Sequence, residues 1–239
     1  MERTTEKTVR ELALEIPGAT RVFEMLGIDY CCGGNKSLEQ ACQSAGRSIG
    51  EVVNALESAA APGALENRCW QSEPLADLVA HIQHTHHRYT RDELARLEPL
   101  LNKVCSVHGR RHAELVRLRE VFAGLAQELT THLMKEDSVL FPYIIRMEEA
   151  LVAGEPIVPP PFEKVQNPVS MMLREHDDAG EALREIRAIT GGYTCPGDAC
   201  ISYRTLYGAL ADFEADLHQH IHLENNVLFP RAVEMEEAR

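Results

Sequence analysis

No run of 18 or more apolar residues occurs anywhere in this 239-residue chain, so no transmembrane helix is expected. The opening residues, MERTTEKTVREL, also lack the apolar stretch of a secretory signal, and the expected location is the cytoplasm. Alternating β-branched segments bounded by turn residues are absent, which argues against a sheet. No cluster of lysine and arginine offsets the formal net charge of −13, so a polyanion would be repelled and nucleic acid is excluded as a partner. A disulfide framework is not expected either. Seven cysteines in a chain of this size with no leader read as reduced thiols or ligands, which points to intracellular redox or metal chemistry. Trp70 and the tyrosines form no cofactor pattern.

What is present is helical from end to end. Leu12, Ile16, Val22, Phe23 and Leu26 recur at helical spacing, as do Leu75, Leu78, Val79 and Ile82, then Leu94, Leu97 and Leu101. The punctuation divides the chain. Residues 1–58 read as a small domain of short helices broken at Pro17-Gly18 and at Cys31-Cys32-Gly33-Gly34, with Ser37 and Gln40 as a capping box opening a new helix. Residues 59–73 read as a linker. From 74 to 239 the pattern predicts helices over roughly 74–104, 112–150, 168–190 and 200–236. The prolines of GEPIVPPPFEKVQNP make an extended crossover in the middle. The fold class is therefore all-α, a four-helix bundle with a small amino-terminal helical domain.

An internal repeat carries the chemistry. HLMKEDSVLFP, starting at His132, matches HIHLENNVLFP, starting at His220, at the His, at the Glu four residues on and at the closing Val-Leu-Phe-Pro, with an offset of 88 residues. Each half also holds an earlier histidine, His87 or His176, lying 45 and 44 residues before its His-x-x-x-Glu. Residues four apart share one helix face, their Cβ atoms about 5–6 Å apart. His132 with Glu136 and His220 with Glu224 can thus each point into one shared space. Four imidazoles and two carboxylates suit a pair of first-row divalent metals bridged by carboxylate oxygens, with iron the first choice and manganese or zinc open on ligand type. Thiolates are missing from the set, which disfavours structural zinc. Only the register of the repeat prefers His87 over its neighbour His86. His81, His84, His86, His112, His218 and His222 read as surface or outer residues.

The carboxy-terminal region resembles the hemerythrin-like di-iron domains, and the chain as a whole resembles the iron-sulfur cluster repair proteins. ELALEIPGATRVFEMLGIDYCCGG resembles that family's amino-terminal domain, and EHDDAGEAL, HLMKEDSVLFP and HIHLENNVLFP resemble its metal-binding motifs. The resemblance implies two iron ions held by His87, His132, Glu136, His176, His220 and Glu224, with both glutamates and an oxo group as bridges. His108, in CSVHGRR, falls where some members have a further histidine ligand. Glu175, beside His176, is a candidate acceptor for orienting a ligand ring. The implied function is repair of iron-sulfur proteins damaged by nitric oxide or oxidants, by donating iron, by reducing nitric oxide to nitrous oxide, or both. The competing reading is an oxygen or nitric oxide binding and sensing protein without turnover.

Cys31 and Cys32 are the candidate thiol relay. Free backbone amides and an oncoming helix amino terminus would lower a thiol pKa there, and such thiols could take nitric oxide or iron from the di-iron site or accept reducing equivalents. Cys195 and Cys200 flank a Pro-Gly turn and are expected as free thiols, while Cys42, Cys69 and Cys105 read as packing or surface residues. Damaged iron-sulfur proteins are the expected partners, with nitric oxide or oxygen as small ligands. The small domain has a modest core, which favours a homodimer.

Overall fold

The structure is a computed structural model that describes residues 7–59 and 70–238. Among these residues there is no strand beyond an isolated bridge between Thr8 and Ser37. They form two compact units: Met1–Pro74 with His218–Pro230, and Leu75–Leu217 with Arg231–Arg239. Residues 60–69 of the expected linker 59–73 lie outside the described residues, Cys69 among them.

The first unit carries four short helices, α1 (Val9–Glu15), α2 (Ala19–Leu26), α3 (Leu38–Ala45) and α4 (Ile49–Ala59). Ser37 and Gln40 do form the capping box opening α3. Thr8 and Glu11 form a second one at α1, readable from the same spacing. Gly27 ends α2 at φ 68°, a left-handed cap that glycine adopts without a Cβ clash. The helices bury one apolar cluster, including Val9, Leu12, Phe23, Tyr30, Leu38, Val52 and Leu56. The stretch His218–Pro230 belongs to the same unit by specific bonds. His218 Nδ1 donates to Glu24 Oε2 (2.8 Å), Asn226 Nδ2 donates to the Tyr30 carbonyl (3.1 Å), and Arg10 Nη2 donates to the Asn226 carbonyl (3.0 Å).

The second unit is a helical bundle. Its first run is α5 (Leu75–His81), a π-helical turn (Ile82–His87) and α6 (Arg88–His108). The second is α7 (Glu114–Lys135), a π turn (Glu136–Leu140) and α8 (Phe141–Ala153). Next comes α9 (Gln166–Ile189), and the fourth run is α10 (Ile201–Leu223), a π turn (Glu224–Leu228) and α11 (Phe229–Glu237). The residues from Glu155 to Pro160 are non-helical, as their prolines require. Helix α7 packs on α6 and α9, and α5 packs on α8. Phe122 of α7 meets Phe213 of α10 edge to face, with centroids 6.3 Å apart.

The repeat extends to the ends of these runs. Glu148 of α8 accepts from the Leu75 and Ala76 amides (2.6 and 2.8 Å), capping the helix that leads to His87. Glu236, 88 residues further on, accepts from the Val165 amide (3.0 Å) at the start of the helix that carries His176, and from the Tyr143 hydroxyl (2.8 Å). Each half thus uses a late glutamate to satisfy the open amides of its own first helix.

Candidate metal centre

A π turn begins at each of the repeated glutamates. Glu136 N–H still donates to the His132 carbonyl, so the His-x-x-x-Glu pair keeps its α-helical spacing. The Phe141 and Phe229 amides then reach five residues back, to the carbonyls of Glu136 and Glu224. Pro142 and Pro230 follow directly, so the residue that lacks an N–H sits where the helical register has just changed.

In the bundle unit, His87, His132, Glu136 and His176 come together. Glu136 Oε2 lies 3.5 Å from His87 Nε2 and 3.2 Å from His132 Nε2, and His132 Nε2 lies 2.9 Å from His176 Nε2. His132, Glu136 and His176 offer ligand atoms that all fall within 4.8 Å of one another. His86, the neighbour of His87, turns instead to Asp216 Oδ1 (3.0 Å). On the stretch His218–Pro230, His220 Nε2 lies 3.0 Å from Glu224 Oε1. All six side chains are buried, none more than 3% exposed. Among the described residues, the histidine–carboxylate groups compact enough to hold an ion are drawn entirely from these six.

Outer carboxylates settle the ring tautomers. His87 Nδ1 donates to Asp137 Oδ1 (2.9 Å), and His132 Nδ1 donates to Glu175 Oε2 (2.8 Å). Burial raises the pKa of Asp137, but its bonds from His87, Gln83 and Arg91 outweigh that and hold it well below the usual carboxylate range. Glu175 is likewise lowered, burial being outweighed by Lys135 and His132. With their protons on Nδ1, His87 and His132 present Nε2 lone pairs to Glu136, neither of whose oxygens receives a hydrogen bond. A buried carboxylate faced by acceptors is costly unless a cation sits among them. The donor set therefore fits a pair of divalent ions, and two-nitrogen-plus-carboxylate surroundings suit iron. The sequence offers Glu175 as an acceptor beside His176, yet the ring it orients is that of His132. Asp137 escapes sequence reasoning: a partner 50 residues from its histidine leaves no periodic trace.

His108 is not with this group. Its Nε2 contacts Cys200 Sγ (3.1 Å) and its ring lies 5.3 Å from that of Tyr203. Helix α6 separates it from His87 by 21 residues, about 31 Å at helical rise. The expected additional ligand is thereby corrected. Cys195 and Cys200 are free thiols, as are Cys42 and Cys105 in the core.

The thiol loop also differs from expectation. Asp29 Oδ1 accepts from the amides of Cys31 (3.2 Å), Cys32 (3.0 Å) and Gly33 (3.0 Å), so those amides are not free to hold a thiolate. Cys31 is buried, and its Sγ faces Cys32 Sγ (3.8 Å) and Asp29 Oδ1 (3.4 Å). The Cys32 thiol, burial and the Asp29 charge, in that order, push the Cys31 pKa well up rather than down. The glycines sit at a close approach: a Cβ on Gly33 would lie 3.2 Å from the Asp29 carbonyl, and one on Gly34 would lie 3.1 Å from the Tyr30 carbonyl, both tighter than ordinary contact. Asn226 bonds that Tyr30 carbonyl from two residues beyond Glu224, and its Nδ2 also lies 2.9 Å from buried His222. Burial pulls the His222 pKa down to about 4 and keeps that ring neutral.

A helical bundle with a buried histidine–carboxylate centre defines a hemerythrin-type cation-binding protein. Residues 78–232 match the hemerythrin HHE cation-binding domain, and residues 5–60 match a domain of unknown function, DUF542. The chain is 36% identical to the probable iron-sulfur cluster repair protein of Haemophilus influenzae, over 95% of this chain and 97% of that one. Iron-sulfur cluster repair proteins YtfE of Pectobacterium atrosepticum (36%) and Edwardsiella ictaluri (38%) are similar over the same shares. The chain belongs to this family of two-domain iron-sulfur cluster repair proteins, and its cofactor is iron, bound as a pair.

Proposed function

We propose that the protein restores iron-sulfur clusters damaged by nitric oxide or oxidants, acting in the cytoplasm on damaged iron-sulfur proteins. The proposed ligands are His87, His132, Glu136, His176, His220 and Glu224, within a domain of residues 74–239 that follows an amino-terminal domain of residues 1–58. The observation that carries the reading is Glu136, fully buried, without a hydrogen bond on either oxygen and faced by imidazole nitrogens.

The chain's own contribution is to keep lone pairs aimed inward and water out. Asp137 and Glu175 hold His87 and His132 in the tautomer that donates outward. Buried imidazole and carboxylate bind ferrous iron without a thiolate, so iron bound here is drawn toward the softer sulfur ligands of an incomplete cluster. When bound, a ferrous pair supplies two electrons, one from each ion, which together with two protons convert two nitric oxide molecules into nitrous oxide and water. A cavity of about 430 Å³ lined by His132 and His176 admits a molecule of that size. The amino-terminal core is small, which supports a homodimer as the working form.

Glu136→Gln keeps the volume but removes the charge and replaces one of the two carboxylate oxygens with an amide donor. It is expected to lower bound iron from two ions per chain to one or none, by elemental analysis, and to abolish both iron transfer to an apo cluster protein and nitric oxide consumption. Full iron content with full repair in that variant would overturn the assignment. Cluster repair that survives complete removal of iron would overturn the function.

A further inference from the structure

The bundle end that holds His108 carries groups the metal centre does not use. His108 closes α6, and its Nε2 lies 3.1 Å from Cys200 Sγ. This pairs a thiol with a base, which covalent sulfur chemistry requires. Other thiols are placed differently: Cys31 faces a carboxylate, and Cys105 donates to the Leu115 carbonyl (3.1 Å). Cys200 is also exposed, so a reagent from solution can reach it. Its carbonyl accepts from the Arg204 amide (3.0 Å), the first bond of α10, so the sulfur stands at the end of that helix where backbone dipoles favour an anion.

A second thiol, Cys195, lies five residues earlier. The Ala199 amide donates to the Pro196 carbonyl (3.0 Å), closing a turn between the two cysteines. The loop is tied down on both sides. His112 bridges Glu114 Oε1 (3.1 Å) and Asp198 Oδ1 (3.0 Å) through its two ring nitrogens, and Arg204 Nε donates to the Ala199 carbonyl (3.2 Å). Burial, then Tyr207, Glu114 and Cys195, hold the Tyr203 phenol above its usual range, which places Cys195 within electrostatic reach of the ring that His108 packs on.

We propose that Cys200, His108 and Cys195 form a peroxide-reactive thiol site, separate from the metal centre. His108 takes the Cys200 proton, and the sulfur attacks a hydroperoxide. The S–O bond forms as the O–O bond breaks, sulfur is oxidised to a sulfenic acid, and the leaving oxygen departs as alcohol or water with the proton from His108. Cys195 sulfur then attacks Cys200 sulfur. The S–S bond forms, the S–O bond breaks, and water leaves with the Cys195 proton. Two electrons have passed from the thiol pair to the peroxide, and a dithiol reductant returns them.

Trypsin cuts after Arg187 and Arg204, so both thiols fall in one peptide. Full-length protein carrying ferric iron, its thiols reduced and the reductant removed, is exposed to hydrogen peroxide, quenched with iodoacetamide, digested and weighed by mass spectrometry. The peptide should become two hydrogens lighter and lose both alkylation sites, while Cys31 stays alkylatable. His108→Gln should slow this by about 100-fold, the low end for loss of a general base, with circular dichroism and iron content unchanged. Cys195→Ser keeps the base and should leave a sulfenic acid on Cys200 that dimedone traps. A rate indifferent to His108→Gln, or one matched by the urea-unfolded chain, would overturn the proposal. So would Cys195→Ser protein that yields no dimedone adduct, a result that decides the matter even if His108→Gln does not fold. A Cys200 disulfide between two chains would remove Cys195 from the scheme and overturn it as stated.

Discussion

Cys31 is a thiol set beside a carboxylate, and at neutral pH that makes it a poor nucleophile. Asp29 spends one oxygen on three backbone amides, so the loop is organised around a negative charge and a neighbouring thiolate would face it at 3.4 Å. Burial adds to the cost. Because the folded pKa lies above the usual thiol value, the neutral form persists as pH rises past the point where an unfolded cysteine ionises. Alkylation of Cys31 in the native protein, followed by mass spectrometry, is therefore expected to lag the unfolded chain throughout the neutral and mildly alkaline range. Asp29→Asn keeps an oxygen for the amides and removes the charge, and should raise the Cys31 rate several-fold. Equal rates in native and unfolded protein would show that Asp29 does not restrain the thiol. A relay through Cys31 then needs a partner that removes its proton, a demand that Cys-Cys-Gly-Gly alone does not reveal.

At the scale of helices, the stretches most readable in the sequence are those where two signals coincide. The His-x-x-x-Glu pairs stand out because residue spacing and the 88-residue repeat agree, and the crossover stands out because its prolines forbid helix. The π turns leave little trace, since one extra residue in a turn barely disturbs apolar periodicity; Phe-Pro five residues after each glutamate marks where two of them end. His108, expected from the family resemblance alone, sits at the end of α6 opposite His87, so the resemblance does not carry over at this position. Glu148 and Glu236 are also invisible, since each satisfies amides some 70 residues away. Their role is checkable. Glu148→Ala removes the acceptor of the Leu75 and Ala76 amides, and Glu236→Ala removes the bonds that Glu236 accepts from the Val165 amide and the Tyr143 hydroxyl. Each is expected to cost about 1.5–3 kcal/mol in urea denaturation, the range for hydrogen bonds to a charged group. Iron content should stay at two per chain. An unchanged midpoint would mean that water caps these helices equally well.

For the whole chain, the balance of charge and the metal centre are linked. A net charge of −13 is self-repelling in the folded form, and the buried core of the bundle adds carboxylate and imidazole acceptors that face one another at 3.2 to 3.5 Å. Two divalent cations relieve both strains. They bind the folded chain, whose bundle ligands are gathered, far better than the unfolded one, where His87 and His176 are separated by 89 residues of sequence. Mass action then requires that iron raise stability: free metal at about 100 times its dissociation constant adds about 2.7 kcal/mol. Thermal unfolding followed by circular dichroism should show the metal-free protein melting several degrees below the loaded one, and the gap should close on adding iron(II). Glu136→Gln should behave differently. Its amide donates to the imidazole lone pairs, so the metal-free variant is expected to melt above the metal-free parent and to gain little from iron. If the metal-free parent melts no lower than the loaded protein, the buried acceptors are not in conflict, and relief by bound cations is not what keeps them gathered.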